Sequence, residues 1–265
     1  MRYGKIFLLH FQDAFHSRGR SFVYFLLSLT SPMLLLLFWQ GAIREHGEVY
    51  GVWTSSAITS YYLLIAIASS FLIVHIEEDV AFRDIKDGAL VKYLLRPFSY
   101  FIVKFMEELP WRVIQGLLAI VVFLFFRFIV GIPLPIVHRP LEILLVSGVF
   151  VLAFAISYVF KMVLGLTAFW TTDFWGTLSI EEFLFSVFGG IIAPLVLYPS
   201  VFARIAQVLP FAYIVYFPVV AVEGMLSIYE LLRVLGAQVA WLIILYGVYL
   251  LLWNRGIKKF SSVGQ

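Results

Sequence analysis

The chain has 265 residues, of which 62% are hydrophobic and 13% charged, whereas an average soluble protein is about half apolar and a quarter charged. This composition excludes a soluble globular domain and predicts a membrane protein with several spans, because one span takes about 20 apolar residues. The absence of cysteine excludes a disulfide scaffold and a thiolate metal site, and the net charge of +3 does not indicate a nucleic-acid partner, because membrane proteins keep basic residues on their cytoplasmic side.

Residues 1–20 are predicted to form an amphipathic helix in the headgroup region of the membrane. An aromatic residue recurs at every fourth position from Tyr3 to Phe15, which places an aromatic stripe on the lipid side of such a helix. The apolar run that follows is longer than the core of a signal peptide, so we expect no cleavage here.

Six further apolar runs predict six membrane-spanning helices. In the third, Pro110 is expected in the first turn, where its missing N–H costs little. Lys161 is expected to mark the cytoplasmic end of the fourth. Glu181 and Glu182 fall inside or beside the fifth, and carboxylates at membrane depth normally face protein or water. The predicted spans are residues 21–43, 54–76, 109–130, 141–160, 175–194 and 233–253.

A row of charged residues leads into the third span. Lys104, Glu108 and Arg112 follow one another at intervals of four, so one face of a helix can hold salt bridges. We interpret this row as a charged seam at the membrane interface without a function of its own, and we keep a functional charge ladder as the alternative.

The segment between the fifth and sixth spans, residues 195–232 and called the outer segment below, is apolar but interrupted by prolines. Irregular backbone at membrane depth is tolerated only where protein or a water-filled cavity covers it. We therefore predict short helices that dip back into the outer leaflet, and no seventh crossing. A basic tail, residues 254–259, follows the last span.

The distribution of basic residues predicts the orientation. With six spans and a cytoplasmic N-terminus, 14 of the 19 lysines and arginines lie on the cytoplasmic side, in agreement with the positive-inside rule. Both termini are then cytoplasmic. The basic residues left on the outer side are Arg44, Arg127, Arg139, Arg204 and Arg233.

Residues 77–100, called the charged loop below, separate the second and third predicted spans. Acidic and basic side chains are mixed in this loop, so it must lie outside the bilayer, on the cytoplasmic side. It is either a solvated connector or the surface through which the membrane part contacts a soluble partner, with apolar residues for adhesion and charges for register. Its recurring apolar residues are Val80, Ile85, Leu90, Leu94 and Leu95.

Motifs of catalysis and nucleotide binding are absent from the sequence. There is no phosphate-binding loop, nucleophile elbow, zinc-protease motif or dinucleotide fingerprint, and neighbouring carboxylates on a helix do not face each other. We therefore predict no enzyme activity, no catalytic or metal-binding residue and no cofactor on this chain. It either works alone, as a channel or secondary transporter, or is driven by another subunit, and the lack of a clear internal repeat favours the second alternative.

Three stretches of the sequence, which differ from one another, each match a part of the sequence pattern of a single protein family. They are DIKDGAL at 84–90 with LLRPFS at 94–99, FGGIIAPL at 188–195 with LPF at 209–211, and RGIKKF at 255–260. Together they resemble the permease subunits of type 2 ABC exporters, in the branch of the viologen and multidrug exporter permeases. Phe169 and Trp170 fit the same pattern, whereas Ala89 and Phe98 stand where glutamate and leucine are common.

The resemblance implies a single all-α membrane domain over residues 1–265, with six spans, the interfacial helix and re-entrant outer helices. It implies ATP-driven export, with multidrug efflux typical of the branch, in the cytoplasmic membrane of a prokaryote. The partners would be membrane lipid, a second permease, the same or a related chain, and two separate ATPase subunits that bind ATP and magnesium.

In such a permease the charged loop carries the coupling helix that contacts the ATPase. Reversing the charge at Asp84 and Asp87 is then expected to lower transport and to leave membrane insertion normal. The expected coupling residues are Arg83, Asp84, Ile85, Lys86, Asp87, Gly88, Leu90, Arg96 and Pro97; those of the re-entrant region are Gly189, Gly190, Pro194, Pro199, Pro210, Phe211 and Pro218.

Overall fold

The structure, a computed structural model, describes residues 2–16, 18–46, 53–129, 137 and 139–263. Every regular element in these residues is helical, which confirms the all-α prediction. A chain in lipid is expected to form helices, because each backbone N–H and C=O must be satisfied without water. The α-helices are α1 (Arg2–His16), α2 (Arg18–His46), α3 (Ser55–Leu72), α4 (Val91–Leu94), α5 (Tyr100–Leu124), α6 (Pro140–Leu166), α7 (Phe174–Phe188), α8 (Ser200–Val208), α9 (Pro210–Ile214), α10 (Tyr216–Val222) and α11 (Ile228–Val263).

Within the described ranges, four helices are long and apolar enough to cross a membrane. They are Phe25–Ile43 in α2, Ser55–Leu72, Pro140–Phe169 and Ile228–Phe260 in α11. A fifth is counted if α8 and the α9–α10 pair, which are bent by 68° against each other, form one broken span. The chain is therefore a multi-pass membrane protein, and the count of six spans stays a prediction.

Helices α5 and α7 occupy two of the predicted spans without meeting the same criterion. Helix α5 has 25 residues, but four of those in its first half are charged. Helix α7 has 15 residues and is therefore about 22 Å long, less than the ~30 Å of the hydrocarbon core. It ends six residues earlier than predicted, because Gly190 takes a left-handed conformation (φ 78°) that interrupts the helix.

Three helices extend beyond the predicted spans. Helix α5 begins at Tyr100, so Pro110 lies inside the helix and not in its first turn. Helix α6 continues past Lys161 to Leu166, and Lys161 is buried, so the prediction that it marks the cytoplasmic end was wrong. The basic tail continues α11 as helix. Burial and pairing of the charged residues in α5 and α6 allow these helices to continue through them.

The elements meet at two ends of the molecule. At one end the charged loop contacts the connection between α6 and α7 and the last part of α11. The Lys86 Nζ donates a hydrogen bond to the Thr172 carbonyl (2.7 Å), and the Tyr100 ring stacks on Trp253 with centroids 4.8 Å apart. At the other end the Ser60 hydroxyl donates to Glu223 (2.6 Å). The regions that the charge distribution assigns to one side of the membrane therefore share one end.

Helix α1 lies along α5 at the end that carries the charged loop. The Ser99 N–H donates a hydrogen bond to the Tyr3 hydroxyl (3.2 Å), and the Tyr3 ring meets Phe98 edge to face. The predicted aromatic stripe is thus partly covered by protein. The large apolar side chains that α1 leaves exposed are Leu8, Leu9 and Phe15. Phe15 belongs to the predicted stripe, whereas Leu8 and Leu9 add a second apolar surface that is available to lipid.

Candidate functional site

The charged loop consists of two short helical pieces joined by a turn. Asp79–Lys86 is a π-helix, continued by the Asp87 N–H, which donates to the Phe82 carbonyl five residues back (2.8 Å). A turn around Gly88 leads to α4, and Ser99 then begins α5. π-Helical turns are rare and are often found at functional sites, which directs attention to this segment.

Arg112 fixes the point where α3 ends and the chain turns towards the charged loop. Its guanidinium donates hydrogen bonds to the carbonyls of Ser70 (3.1 Å) and Ile73 (2.7 Å) and to the Glu108 carboxylate (2.5 Å). The last carbonyls of a helix have no partner within the helix, and a basic side chain there satisfies them. Helix α5 thus supplies the C-terminal cap of α3.

Lys161 joins the start of the charged loop to α6 and α7. Its Nζ donates to the Glu77 carboxylate (2.6 Å) and to the Glu181 carboxylate (3.0 Å), and all three side chains are buried. One ammonium thus faces two carboxylates. Burial raises the pKa of Glu77 to about 7, although the nearby Lys161 opposes this shift.

Lys104 joins the π-helix to α5. Its Nζ lies 3.0 Å from an oxygen of Asp84 and 3.1 Å from an oxygen of Glu107. The Tyr100 hydroxyl donates a hydrogen bond to the same Asp84 oxygen (2.7 Å). Both Lys104 and Asp84 are fully buried, so this ion pair belongs to the interior of the protein.

These three basic residues, called the anchor residues below, bind successive points of one segment. Arg112 binds the backbone at Ile73, Lys161 binds Glu77 and Lys104 binds Asp84. Removing one partner of a buried ion pair costs about 3–5 kcal/mol. Buried polar contacts therefore tie the charged loop, and the residues just before it, to α5, α6 and α7.

The predicted row Lys104, Glu108 and Arg112 divides between two of these contacts. Arg112 pairs with Glu108, as the spacing predicts. Lys104 pairs with Asp84 and Glu107 and not with Glu108. The row is consequently a set of buried contacts to the α3 end and the charged loop, where the sequence indicated an interfacial seam.

The residues predicted to contact an ATPase divide into an inner and an outer group. Asp84, Ile85 and Leu90 are buried within the chain. Reversing the charge of Asp84 would place two like charges in one buried site, so that substitution does not test a partner contact. Gly88 is half-buried in the turn, and the exposed members are Arg83, Lys86, Asp87, Arg96 and Pro97.

Three apolar side chains next to the turn are exposed instead. Val91, Leu94 and Leu95 are 46%, 43% and 80% exposed, and we call them the α4 patch. They lie among the charged residues of the loop, at the end of the molecule away from the outer segment. Apolar surface rimmed by polar residues is typical of a protein interaction site.

The outer segment is tied to α3 by the Ser60–Glu223 hydrogen bond and by the contact of the Tyr61 ring with the Tyr216 ring. The predicted re-entrant residues make further contacts with α3, α6 and α7. The Tyr61 hydroxyl donates to the Gly190 carbonyl (2.6 Å), and a Cβ atom on Gly190 would lie 2.9 Å from Tyr61 and Tyr216. The Phe211 ring packs between Phe160 and Phe185. Of the predicted re-entrant residues, Gly189, Pro194, Pro210 and Pro218 are buried and Pro199 is exposed.

Sequence reasoning placed Lys161 at the end of the fourth span and Glu181 inside or beside the fifth, but it named no partner for either residue and did not single out Tyr100. The signal was present, because a lysine and a carboxylate in apolar runs are expected to face protein or water. The partners of Lys161 are 84 and 20 residues away in the chain, a distance at which spacing gives no information.

Comparison with known proteins gives one finding. The sequence profile of a family described as ABC-2 family transporter protein matches residues 27–264. No curated protein matches the chain, and no solved structure matches it either.

Proposed function

We propose that the chain, which belongs to the ABC-2 transporter family, is the permease subunit of an ATP-binding cassette exporter. Separate ATPase subunits drive this permease through the charged loop. The family itself accounts for a multi-pass membrane component without catalytic activity of its own. The proposal adds the route by which movement driven by ATP hydrolysis is transmitted to the membrane helices.

The proposed assembly has two permease chains, the same or related, and two ATPase subunits that hold ATP and magnesium. Each permease crosses the cytoplasmic membrane of a prokaryote six times, through α2, α3, α5, α6, α7 and α11, with both termini in the cytoplasm. The short α7 is then completed on the outer side by the re-entrant helices α8–α10. Export of hydrophobic drugs is the activity that the branch resemblance suggests.

The observation that carries the proposal is the position of the α4 patch beside the anchor residues. The patch offers exposed apolar side chains to which a soluble partner can adhere. The anchor residues tie the same loop to α5, α6 and α7. A partner seated on Leu94 and Leu95 would therefore push on the membrane helices and not on a flexible connector.

Site-specific photo-crosslinking tests the contact. A photoreactive amino acid replaces Leu95 in one variant and Val208 in a second, both being exposed apolar positions (80% and 70%) at opposite ends of the molecule. In the native host, we expect Leu95 to form an adduct that mass spectrometry identifies as a protein with a phosphate-binding loop. Val208 is expected to form none.

Two results would contradict the proposal. One is an ATPase adduct of equal yield at both positions, which would reflect proximity without docking. The other is the absence of an ATPase from the Leu95 adducts together with transport by the purified chain alone, which would assign it to channels or secondary transporters.

A further inference from the structure

A cleft of about 270 Å³ lies between α1 and the turn that contains α4. One part of its lining is apolar and the other part is basic. Ile6 and Leu9 of α1 line it together with Phe98, and the basic residues are Lys92 and Arg96.

The turn presents different side chains to the cleft and to the cytoplasm. Lys92 and Arg96 are four residues apart and both line the cleft. Val91 and Leu95 are also four residues apart, but they are exposed and do not line it. The basic side and the α4 patch are therefore separate surfaces of one short segment.

The cleft carries positive charge that the protein does not neutralise. In the described part of the chain, neither Lys92 nor Arg96 has an acidic partner. The carboxylate among the lining residues is Glu107, which is occupied by the Lys104 ammonium (3.1 Å) and by the Tyr93 hydroxyl (3.1 Å). His10 Nε2 lies 3.8 Å from the same carboxylate.

The cleft also adjoins the side of α1 that is not covered by protein. Leu8 and Leu9 are 58% and 65% exposed, and an amphipathic helix at a membrane places such residues among the acyl chains. Leu9 belongs both to this face and to the cleft. A molecule in the cleft would thus contact two basic groups at one end and the lipid hydrocarbon at the other.

We propose that the cleft binds the headgroup of one anionic phospholipid, with its phosphate between Lys92 and Arg96 and its acyl chains along Leu8 and Leu9. Basic pockets at the cytoplasmic side of membrane proteins attract anionic lipids. The volume is below the ~300 Å³ at which ligand pockets usually begin, so it accommodates a headgroup and not the chains. The proposal concerns the permease alone and does not depend on an ATPase.

Native mass spectrometry of the purified full chain in detergent tests the proposal. Phosphatidylglycerol and phosphatidylcholine with identical acyl chains are titrated separately, and we expect one phosphatidylglycerol to be retained per chain in preference to phosphatidylcholine. Lys92→Gln with Arg96→Gln is expected to weaken this binding about thirty-fold. Lys5→Gln with Arg255→Gln, which removes two exposed charges outside the cleft, is expected to leave it within about two-fold.

A second variant distinguishes binding inside the cleft from simple attraction by the two basic side chains. Ile6→Trp narrows the cleft with a larger side chain and keeps both basic residues, and it is expected to lower the retention of phosphatidylglycerol. Equal loss in the Lys5 and Arg255 control, no preference for the anionic lipid, or full retention by Ile6→Trp would each overturn the proposal. Displacement of the lipid by inorganic phosphate at equal concentration would also overturn it, because the site would then bind a free anion.

Discussion

Lys161 is a buried cation that faces two buried carboxylates, so its loss is expected to destabilise the protein. Lys161→Met leaves Glu77 and Glu181 buried without a cation, and an unpaired buried charge costs about 3–5 kcal/mol. We expect the midpoint of thermal unfolding in detergent to fall by about 10 °C. The variant is measured beside Lys5→Met, which removes an exposed lysine of α1 and is expected to change the midpoint little.

The carboxylates themselves provide the control for this result. Adding Glu77→Gln and Glu181→Gln to Lys161→Met removes the unpaired charges, so part of the lost stability should return. An unchanged midpoint in Lys161→Met would show that this ion pair contributes nothing to the fold.

Glu77 gives the protein a pH-dependent stability. Because burial raises its pKa to about 7, the folded protein keeps a proton that the unfolded chain releases near pH 4.5. Stability from this group is therefore complete below pH 4.5 and is lost as the pH rises through 7. The groups that face Glu77 are Lys161, Glu181 and His75, whose Nδ1 is 4.0 Å away.

We expect the thermal midpoint to be lower at pH 8 than at pH 6. Glu77→Gln keeps an oxygen for Lys161 and cannot ionise, so it should reduce this difference. His75→Gln should retain it. A difference that disappears in the histidine variant and persists in Glu77→Gln would assign the titration to His75 instead.

At the scale of the elements, the contact between α11 and the end of α6 explains a glycine of the family pattern. A Cβ atom on Gly256 would overlap the Phe169 ring, and Phe169 is buried. The sequence pattern placed these residues in two separate stretches, and the structure brings them together. Gly256→Ala is therefore expected to destabilise the protein by about 1–3 kcal/mol, as overpacking does.

Gly247 is the matched position for this test. It lies in the same helix, and a Cβ atom there would have no neighbouring atom within 4 Å, so Gly247→Ala should be neutral or slightly stabilising because alanine favours helix. Chemical or thermal unfolding of both variants in detergent measures the effect. Equal midpoints for the two would mean that Phe169 moves aside without cost.

The same elements show what the sequence can and cannot specify. The hydrophobic runs predicted where α2, α3, α6 and α11 cross the membrane, because about 20 apolar residues in a row have few alternatives. The beginning of α5 was predicted nine residues late, because Lys104 and Glu108 look like residues outside a span. Their partners are fixed by tertiary packing, which no local pattern contains.

For the candidate site, too, the sequence predicted one part and the fold was needed for the other. The mixed composition of residues 77–100 identified the charged loop, but the apolar residues expected to face a partner included Val80, Ile85 and Leu90, which are buried. The regular spacing of apolar residues in a sequence does not indicate whether their side chains face the protein's own helices or another subunit. Only the fold separates them from Leu94 and Leu95.

For the whole molecule, the contacts at each end join regions that the distribution of lysine and arginine assigns to the same side of the membrane. The charged loop, the connection between α6 and α7 and the last part of α11 meet at one end, and Glu223 of the outer segment meets α3 at the other. Helix α1 and the last part of α11 both lie at the end that carries the charged loop, and this placement requires an even number of crossings between them. Whether α7 completes a crossing decides between the predicted topology and one with fewer spans.

The absence of cysteine makes this topology directly measurable. Single cysteines are introduced at Leu95, Thr172 and Arg204, all exposed or half-buried positions, and treated with a membrane-impermeant maleimide in right-side-out and inside-out vesicles. With six spans and cytoplasmic termini, Arg204→Cys should react in right-side-out vesicles. Leu95→Cys and Thr172→Cys should react in inside-out vesicles. Because Thr172 and Arg204 flank α7, equal labelling of both in right-side-out vesicles would mean that α7 does not cross the membrane.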